Sequence, residues 1–387
     1  MAAITAAEQG QKVIIIEKMP RLGKKLLATG NGRCNFTNSY MDDDCYRGGK
    51  KDFIYTALDQ FTFEQTIEFF ENLGIACVEK DGYYYPLSNQ AATIADGLVY
   101  KIASLGIEVR LETTVTGAKK QKGTFVVSTN KGNVHGRNLL ITTGGKAQEK
   151  LGSDGFGYTL AKSFGHKIVK PFPTLTALKV KEHPLKNAAG VRCQCAMTVT
   201  GKGRKHEEKG ELQLTKYGIS GVMVFQLSRF VIEELLRGGS PRVTLDFLPY
   251  IEDGLLFYDQ MQSLSFYKTT VQWLEGYLPA KLAAEIIRLS GVKPNKKTTD
   301  LNQDEYKRIW NNLKKMPMKV NGYNDFDQAQ ATAGGVSLKQ ISPYTMESEI
   351  VEGLYFAGEV VDVDGTCGGY NLQWAWTSGY LAGRSFL

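Results

Sequence analysis

Residues 353–383 read GLYFAGEVVDVDGTCGGYNLQWAWTSGYLAG, and this segment carries the strongest signal in the chain. A short apolar strand ends at Gly358-Glu359, an acidic glycine-rich loop follows, and the pattern predicts a helix that begins near Gly368-Gly369. An acidic side chain at a strand end suits a chain of hydroxyl groups. The helix N-terminus offers free backbone N–H groups and a positive potential to an electron-rich atom.

A flavin needs both features, because its ribityl chain must be held and negative charge builds up at its pyrimidine edge on reduction. Two further segments extend the prediction. In LLATGNGRCNFTN, residues 26–38, Gly30 and Gly32 let backbone approach a ligand, and Arg33 can contact a phosphate. In LLITTGGKA, residues 139–147, an apolar strand meets two glycines, which is typical of a cofactor-binding strand end in a doubly wound sheet.

The segment GQKVIIIEK, residues 10–18, predicts a strand buried on both faces with Glu17 at its carboxyl end. In a dinucleotide-binding βαβ unit such an acid contacts the adenosine ribose, about 20 residues after a Gly-x-Gly-x-x-Gly turn. Counting back roughly 20 residues from Glu17 passes the first residue of the chain. We therefore expect that translation starts upstream of Met1 and that the chain as written is destabilised and retains FAD poorly.

Composition indicates a globular protein of 387 residues with a formal charge of +7. No apolar run approaches the roughly 18 residues of a membrane span, and the first ten residues lack the features of a signal peptide. Six unevenly spaced cysteines do not form a disulfide framework, which predicts a cytoplasmic protein. Because the basic residues are scattered, the expected partner is a small-molecule substrate rather than nucleic acid or a membrane. The oligomeric state is left open.

Changes in sequence texture predict an α/β fold in which one domain is interrupted by an insertion. Residues 1–175 form the first part of a doubly wound FAD-binding domain, and residues 322–387 form its second part. Between them, alternating polar and apolar stretches predict a β subdomain over residues 176–246. Amphipathic stretches predict a helical subdomain over residues 247–321.

The combined pattern RLGKKLLATGNGRCNFTN … YPLS … ITTGG … GSDGFGYTLAKSFGH … GELQLTKYGISG … TAGGV … GLYFAGEVVDVDGTCGGYNLQWAWTSGYLAG resembles a known family over essentially the whole chain. The resemblance is to the BaiN/YhiN-type NAD(P)/FAD-dependent oxidoreductases, a family that includes aminoacetone oxidase. It implies a glutathione-reductase-like FAD domain with an inserted β-barrel-like subdomain and a helical subdomain. The first strand and the GxGxxG turn of that family are missing from this chain.

The predicted cofactor-binding residues come from the four segments above and from the resemblance. They are Glu17, Lys18, Gly30, Gly32, Arg33, Cys34, Asn35, Thr37, Gly144, Gly145, Gly358, Glu359, Gly369, Asn371 and Leu372. The sequence assigns no catalytic residue and no metal site. The four histidines lie outside the segments predicted at the flavin, and Cys34 has no second cysteine at the spacing of a redox disulfide.

The predicted activity is hydride transfer between the flavin and a small organic substrate. The resemblance implies either an amine, as for aminoacetone oxidase, or an unsaturated ketone that is reduced with NAD(P)H as a transient electron donor. Two alternatives remain open from the sequence. One is a flavin-containing protein that binds or modifies RNA, and the other is an inactive form truncated at its N-terminus.

Overall fold

A computed structural model describes residues 1–201 and 203–386. Lys202 and Leu387, which fall in the predicted ranges 176–246 and 322–387, lie outside the described residues. The helices are α1 (Ala2–Glu8), α2 (Lys51–Leu58), α3 (Phe63–Asn72), α4 (Ala91–Ser104), α5 (Phe156–Ser163), α6 (Val222–Leu236), α7 (Gly254–Leu264), α8 (Thr270–Leu274), α9 (Ala280–Leu289), α10 (Gln303–Lys314) and α11 (Tyr370–Arg384).

The strands of the described residues follow in chain order. They are β1 (Ile14–Ile16), β2 (Thr37–Asn38), β3 (Tyr46–Gly48), β4 (Cys77–Lys80), β5 (Tyr83–Pro86), β6 (Glu108–Arg110), β7 (Val115–Gln121), β8 (Thr124–Thr129), β9 (Gly132–Gly136), β10 (Leu139–Ile141), β11 (Ile168–Thr174), β12 (Leu178–Val180), β13 (Arg192–Gly201), β14 (Arg204–Leu214), β15 (Gly218–Ser220), β16 (Arg242–Asp246), β17 (Met316–Met318), β18 (Val320–Tyr323), β19 (Ala331–Val336), β20 (Leu354–Phe356) and β21 (Val363–Gly365).

The chain divides into two compact units. Unit 1 comprises Met1–Pro173 and the chain from Phe326 onward, and unit 2 is Thr174–Asp325. The junctions therefore follow Pro173 and Asp325, whereas the sequence predicted them after residues 175 and 321. The β and helical stretches that the sequence separated into two subdomains pack around one hydrophobic core in unit 2.

Unit 1 has the mixed α/β architecture that the sequence predicts. Parallel pairing joins β1 to β6 and β10 to β20, while β4 and β5 form an antiparallel hairpin. One expectation is wrong: Ile14–Ile16 are half-buried rather than buried on both faces. The reason is that β1 lies in a sheet of two strands, so that no strand covers its second edge within the described residues.

Helix α11 is the centre of unit 1. It buries Trp374 and Trp376 in two separate apolar clusters of the unit. It also packs closely on α1, because Gly383 lacks a side chain there: a Cβ at this position would lie 2.5 Å from the carbonyl oxygen of Ala2. The predicted helix after Gly369 is thus present and holds together several parts of unit 1.

Unit 2 is built on a seven-stranded antiparallel sheet in the order β17-β16-β13-β14-β15-β12-β18. The two edge strands β17 and β18 are separated in the chain by Lys319 alone. A sheet whose opposite edges are joined by one residue must curl strongly, which gives the barrel-like form that the family resemblance implied. Capping boxes start α8 at Thr269 and α10 at Asn302, so the helical stretch has well-defined helix starts.

No helix in the described part of the chain is both long and apolar enough to cross a membrane. The described residues also contain no group of three or more His, Cys, Asp or Glu side chains that could hold a metal ion.

Candidate functional site

The first part of the site is the turn at Gly358-Glu359, which follows β20. Two side chains of α11 fix this turn: the Trp374 indole N–H donates to the Gly358 carbonyl oxygen at 3.2 Å, and the Ser378 hydroxyl accepts from the Gly358 N–H at 2.9 Å. Gly358 has φ +75°, a conformation that favours glycine. Helix α11 therefore fixes the backbone from which the Glu359 side chain extends.

The carboxylate of Glu359 joins three separate segments of unit 1. Its Oε2 accepts from the Lys25 ammonium at 2.8 Å and from the Gly145 N–H at 3.3 Å. Its Oε1 accepts from the Thr332 N–H at 2.7 Å. A Cβ at Gly145 would lie 2.4 Å from Thr332 Oγ1, so a glycine is required for this approach. Gly144, Gly145 and Glu359, predicted from distant segments, thus lie together.

The second part of the site is the loop that precedes β2. Gly30, Asn31, Gly32 and Cys34 all have φ between +55° and +84°, so the backbone turns back on itself repeatedly. A Cβ on Gly30 would lie 3.1 Å from the Asn35 amide nitrogen. The two predicted glycines, Gly30 and Gly32, therefore serve a tight backbone loop between Lys25 and the buried segment 34–38.

Arg33 lies on the surface of this loop. Its Nε donates to the Gly30 carbonyl oxygen at 3.3 Å, and its guanidinium lies over the Tyr85 ring at 5.6 Å from the centroid. The next residue, Cys34, is fully buried, and burial raises the pKa of its thiol to about 11. A thiol with this pKa stays protonated near neutral pH, so Cys34 is a packed side chain and not a thiolate nucleophile.

Helix α11 also fixes the segment that contains Thr37. The Thr37 hydroxyl donates to Gln373 Oε1 at 2.6 Å, and the Trp376 indole N–H donates to the Phe36 carbonyl oxygen at 2.9 Å. Gly369 caps the helix with φ +93°, and a Cβ there would lie 2.7 Å from the Thr37 carbonyl oxygen. Thr37 and Gly369 are therefore in direct contact.

The start of α11 has no side-chain cap, so its first N–H groups are not satisfied by a capping side chain. Asn371, predicted near the flavin, uses its amide within the chain: Oδ1 accepts from the Gly365 N–H at 2.8 Å and Nδ2 donates to the Gly365 carbonyl oxygen at 3.0 Å. The side chain of Leu372 packs on the apolar cluster around Phe36. The side chains of both residues are therefore engaged within the chain.

Glu17 and Lys18 lie at the end of β1. Glu17 Oε1 accepts from the Met19 N–H at 2.8 Å, and Lys18 forms an ion pair with Asp154 at 2.7 Å. The neighbouring Ser153 accepts a hydrogen bond from the ammonium of the lysine that contacts Glu359. A continuous line of polar contacts thus runs from the Lys18–Asp154 pair to Glu359.

The sequence did not find Lys25, Ser153, Asp154, Thr332 and Gln373. Thr332 and Asp154 lie in the quoted segments TAGGV and GSDGFGY, so the signal for them was present but no role was attached to it. Lys25 and Gln373 also lie in quoted segments, but their partners could not be predicted because each contacts its partner across more than 300 residues.

The residues present fit FAD. Asn35 Oδ1 and the Tyr158 hydroxyl are buried and have no hydrogen-bond partner in the described residues, although buried polar atoms are normally paired. Burial, with smaller contributions from the charges of Glu359 and Asp362, raises the pKa of Tyr158. These unpaired atoms, the uncapped α11 N-terminus and the carboxylate of Glu359 are donors and acceptors of the kinds that a ribityl chain and a flavin ring require. FAD, when bound, supplies the electron chemistry, and the chain supplies position and charge.

Comparisons with known proteins show what the whole chain is similar to. The HI0933-like protein Rossmann domain matches residues 1–385. A 3-dehydro-bile acid delta(4,6)-reductase of Clostridium scindens is 39% identical over 100% of this chain and 95% of that protein. A ribosomal RNA dihydrouridine synthase of Escherichia coli is 30% identical over 99% of this chain and 94% of that protein.

Among solved structures, the 3-ketosteroid delta1-dehydrogenase of Sterolibacterium denitrificans in complex with 1,4-androstadiene-3,17-dione shares the fold. The TM-score is 0.51 at 13% identity, with 99% of this chain and 96% of that chain covered. The family match over nearly the whole chain confirms the resemblance seen in the sequence. The chain therefore belongs to the HI0933-like family, the BaiN/YhiN-type FAD-dependent oxidoreductases, and is a flavoenzyme.

Proposed function

We propose that this protein is an FAD-dependent reductase that saturates a carbon–carbon double bond conjugated to a carbonyl group in a small molecule, with NAD(P)H as the transient electron donor. The observation that carries the proposal is the 39% identity to a 3-dehydro-bile acid delta(4,6)-reductase over the whole of this chain. The name of that relative describes double bonds in conjugation with a 3-oxo group.

The second type of relative supports the same reaction class. A dihydrouridine synthase saturates the 5,6 bond of uracil, and this bond is also conjugated to a carbonyl group. Both named activities therefore saturate a carbon–carbon double bond that is conjugated with a carbonyl group, which takes one hydride and one proton. Neither activity is an amine oxidation. Of the two substrate classes that the sequence left open, an amine and an unsaturated ketone, the unsaturated ketone is therefore the better supported.

The geometry of unit 1 suits this chemistry. The uncapped N-terminus of α11 provides positive potential for the negative charge that develops on a flavin when it is reduced. We propose that Thr37, Gly369 and the backbone of Asn371 and Leu372 surround the flavin end, with Gly358 and Glu359 at the ribityl chain. The predicted contacts of Gly144, Gly145, Glu17 and Lys18 toward the adenosine half remain part of this proposal.

A second candidate function is the reduction of uridine in RNA. It is favoured by the 30% identity to ribosomal RNA dihydrouridine synthases of Escherichia coli and Haemophilus influenzae, and the formal charge of +7 is compatible with an anionic substrate. The higher identity to the bile acid reductase favours the small molecule. We also propose a cytoplasmic location, because all six cysteines are free thiols.

The test is an anaerobic two-step experiment on FAD-loaded protein. The flavin is first reduced with NADH or NADPH, and a 3-oxo-Δ4 steroid acid, 2-cyclohexenone or a uridine-rich RNA is then added. Aminoacetone is added in a separate experiment to the oxidised flavin. We expect the steroid or the cyclohexenone to restore the oxidised flavin spectrum within the mixing experiment. Bleaching of oxidised flavin by aminoacetone, with no reaction of reduced flavin with either ketone, would overturn the proposal in favour of amine oxidation.

A further inference from the structure

The ammonium of Lys25 lies at the junction of three segments of unit 1. Its Nζ donates to Glu359 Oε2 at 2.8 Å, to the Ala147 carbonyl oxygen at 3.2 Å and to the Ser153 hydroxyl at 3.2 Å. An ammonium has three hydrogens, so these three contacts use its full donor capacity. No residue of the predicted cofactor set other than Glu359 contacts this ammonium in the described hydrogen bonds.

The contacts are arranged so that Lys25 restrains Glu359. The Lys25 and Glu359 side chains are 29% and 17% exposed, so the ion pair is largely withdrawn from solvent and is screened less than a surface pair. Oε2 of Glu359 accepts from both the ammonium and the Gly145 N–H, while Oε1 accepts only from the Thr332 N–H among the described residues. The carboxylate is therefore held in one orientation with acceptor capacity left on Oε1.

We propose that Lys25 is a positioning residue of the FAD site that acts through Glu359. By binding Oε2 and the segment 147–153 at once, Lys25 fixes the carboxylate so that its remaining acceptor capacity is available to a hydroxyl group of the cofactor. The inference rests on the assignment of Glu359 to the ribityl chain. It is independent of the substrate, because it concerns the affinity of the protein for FAD and not the reaction.

The test measures FAD binding to the apoprotein by quenching of flavin fluorescence. Lys25→Met is compared with Lys24→Met, because Lys24 is the adjacent lysine, and its Nζ donates to the Lys150 carbonyl oxygen at 3.0 Å at an exposed position. We expect Lys25→Met to raise the Kd for FAD about 10- to 100-fold, as for the loss of one partner of a partly buried charged pair. Lys24→Met is expected to change it less than about twofold. Lys25→Arg, which keeps the charge and the donors, is expected to recover most of the affinity.

A double-mutant cycle with Glu359→Gln separates a positioning role from a merely structural one. If Lys25 acts through Glu359, the double variant binds FAD no more weakly than Glu359→Gln alone. The inference would be overturned if the increase in Kd of the double variant equalled the product of the two single increases. It would also be overturned if Lys25→Met bound FAD with wild-type affinity. If Lys25→Met does not fold, the double variant, which leaves no unpaired charge, still gives the answer by comparison with Glu359→Gln. This test measures FAD binding and does not involve reduction of the ketone probes. Failure of the proposed function would therefore be detected separately.

Discussion

Replacing His166 by Gln should remove a pH-dependent part of the free energy of unfolding. His166 lies between α5 and β11, is 3% exposed, and meets the Phe356 ring edge-on at 4.7 Å. Its Nε2 is 2.8 Å from the Ser348 hydroxyl oxygen, which already accepts from the N–H groups of Ile350 and Val351. The hydroxyl hydrogen therefore points to Nε2, and the ring is neutral.

Protonation of His166 is costly because the added hydrogen would find no free acceptor at Ser348. Burial lowers the pKa of His166 from 6.5 to about 4. A base whose pKa is lowered on folding stabilises the protein above the unfolded pKa and loses that contribution as the pH falls toward the folded pKa. The full effect of about 2.5 pKa units corresponds to about 3 kcal/mol, and about 1 kcal/mol of it is lost between pH 7.5 and 5.5.

The assay is urea unfolding of the wild type and His166→Gln at pH 7.5 and 5.5, with His135→Gln as the exposed control. The wild type and His135→Gln should lose the same free energy of unfolding between the two pH values. His166→Gln should lose about 1 kcal/mol less, although it is less stable at pH 7.5. Equal losses in wild type and His166→Gln would refute the assignment of a neutral, buried ring.

Three further outcomes follow from the contacts of α11 and of the loop before β2. Gly369 has φ +93°, and a Cβ there would lie 2.7 Å from the Thr37 carbonyl oxygen, so Gly369→Ala should destabilise the protein by about 2–4 kcal/mol. Gly32→Ala, with open space around the added Cβ, should cost about 1 kcal/mol. Thermal unfolding compares the two variants. Thr37→Val leaves the buried Gln373 Oε1 without its donor and should cost about 1–3 kcal/mol in urea unfolding. Cys34→Ala should keep flavin reduction by NAD(P)H within about threefold of wild type, and a larger loss would give the thiol a role beyond packing.

Local pattern was enough to predict the main elements of unit 1. The strand before Gly358 and the helix after Gly369 both depend on signals within about ten residues, namely apolar runs and glycines. Burial of β1 was mispredicted because an apolar run reports what a strand could bury, while its exposure depends on which strands pair with it.

Contacts between side chains that are distant in sequence could not be predicted from local patterns. Glu359 was placed at the cofactor because it is an acid at a strand end, and Asn371 because the family resemblance implied it, yet the structure gives them different surroundings. Asn371 finds its partner six residues away at Gly365, so its amide is already satisfied. Glu359 finds Lys25 at a separation of 334 residues, and such a pair has no periodicity or spacing in sequence.

The arrangement around α11 accounts for the density of signals in its segment. The same 15-residue helix fixes Gly358 through Trp374 and Ser378, and fixes Thr37 through Gln373. A helix that positions both segments cannot shift without changing the distance between them. In the proposed FAD site, small residues and buried polar side chains on α11 therefore serve cofactor binding as well as the core, because loosening either set of contacts would move Glu359 relative to the loop that carries Thr37.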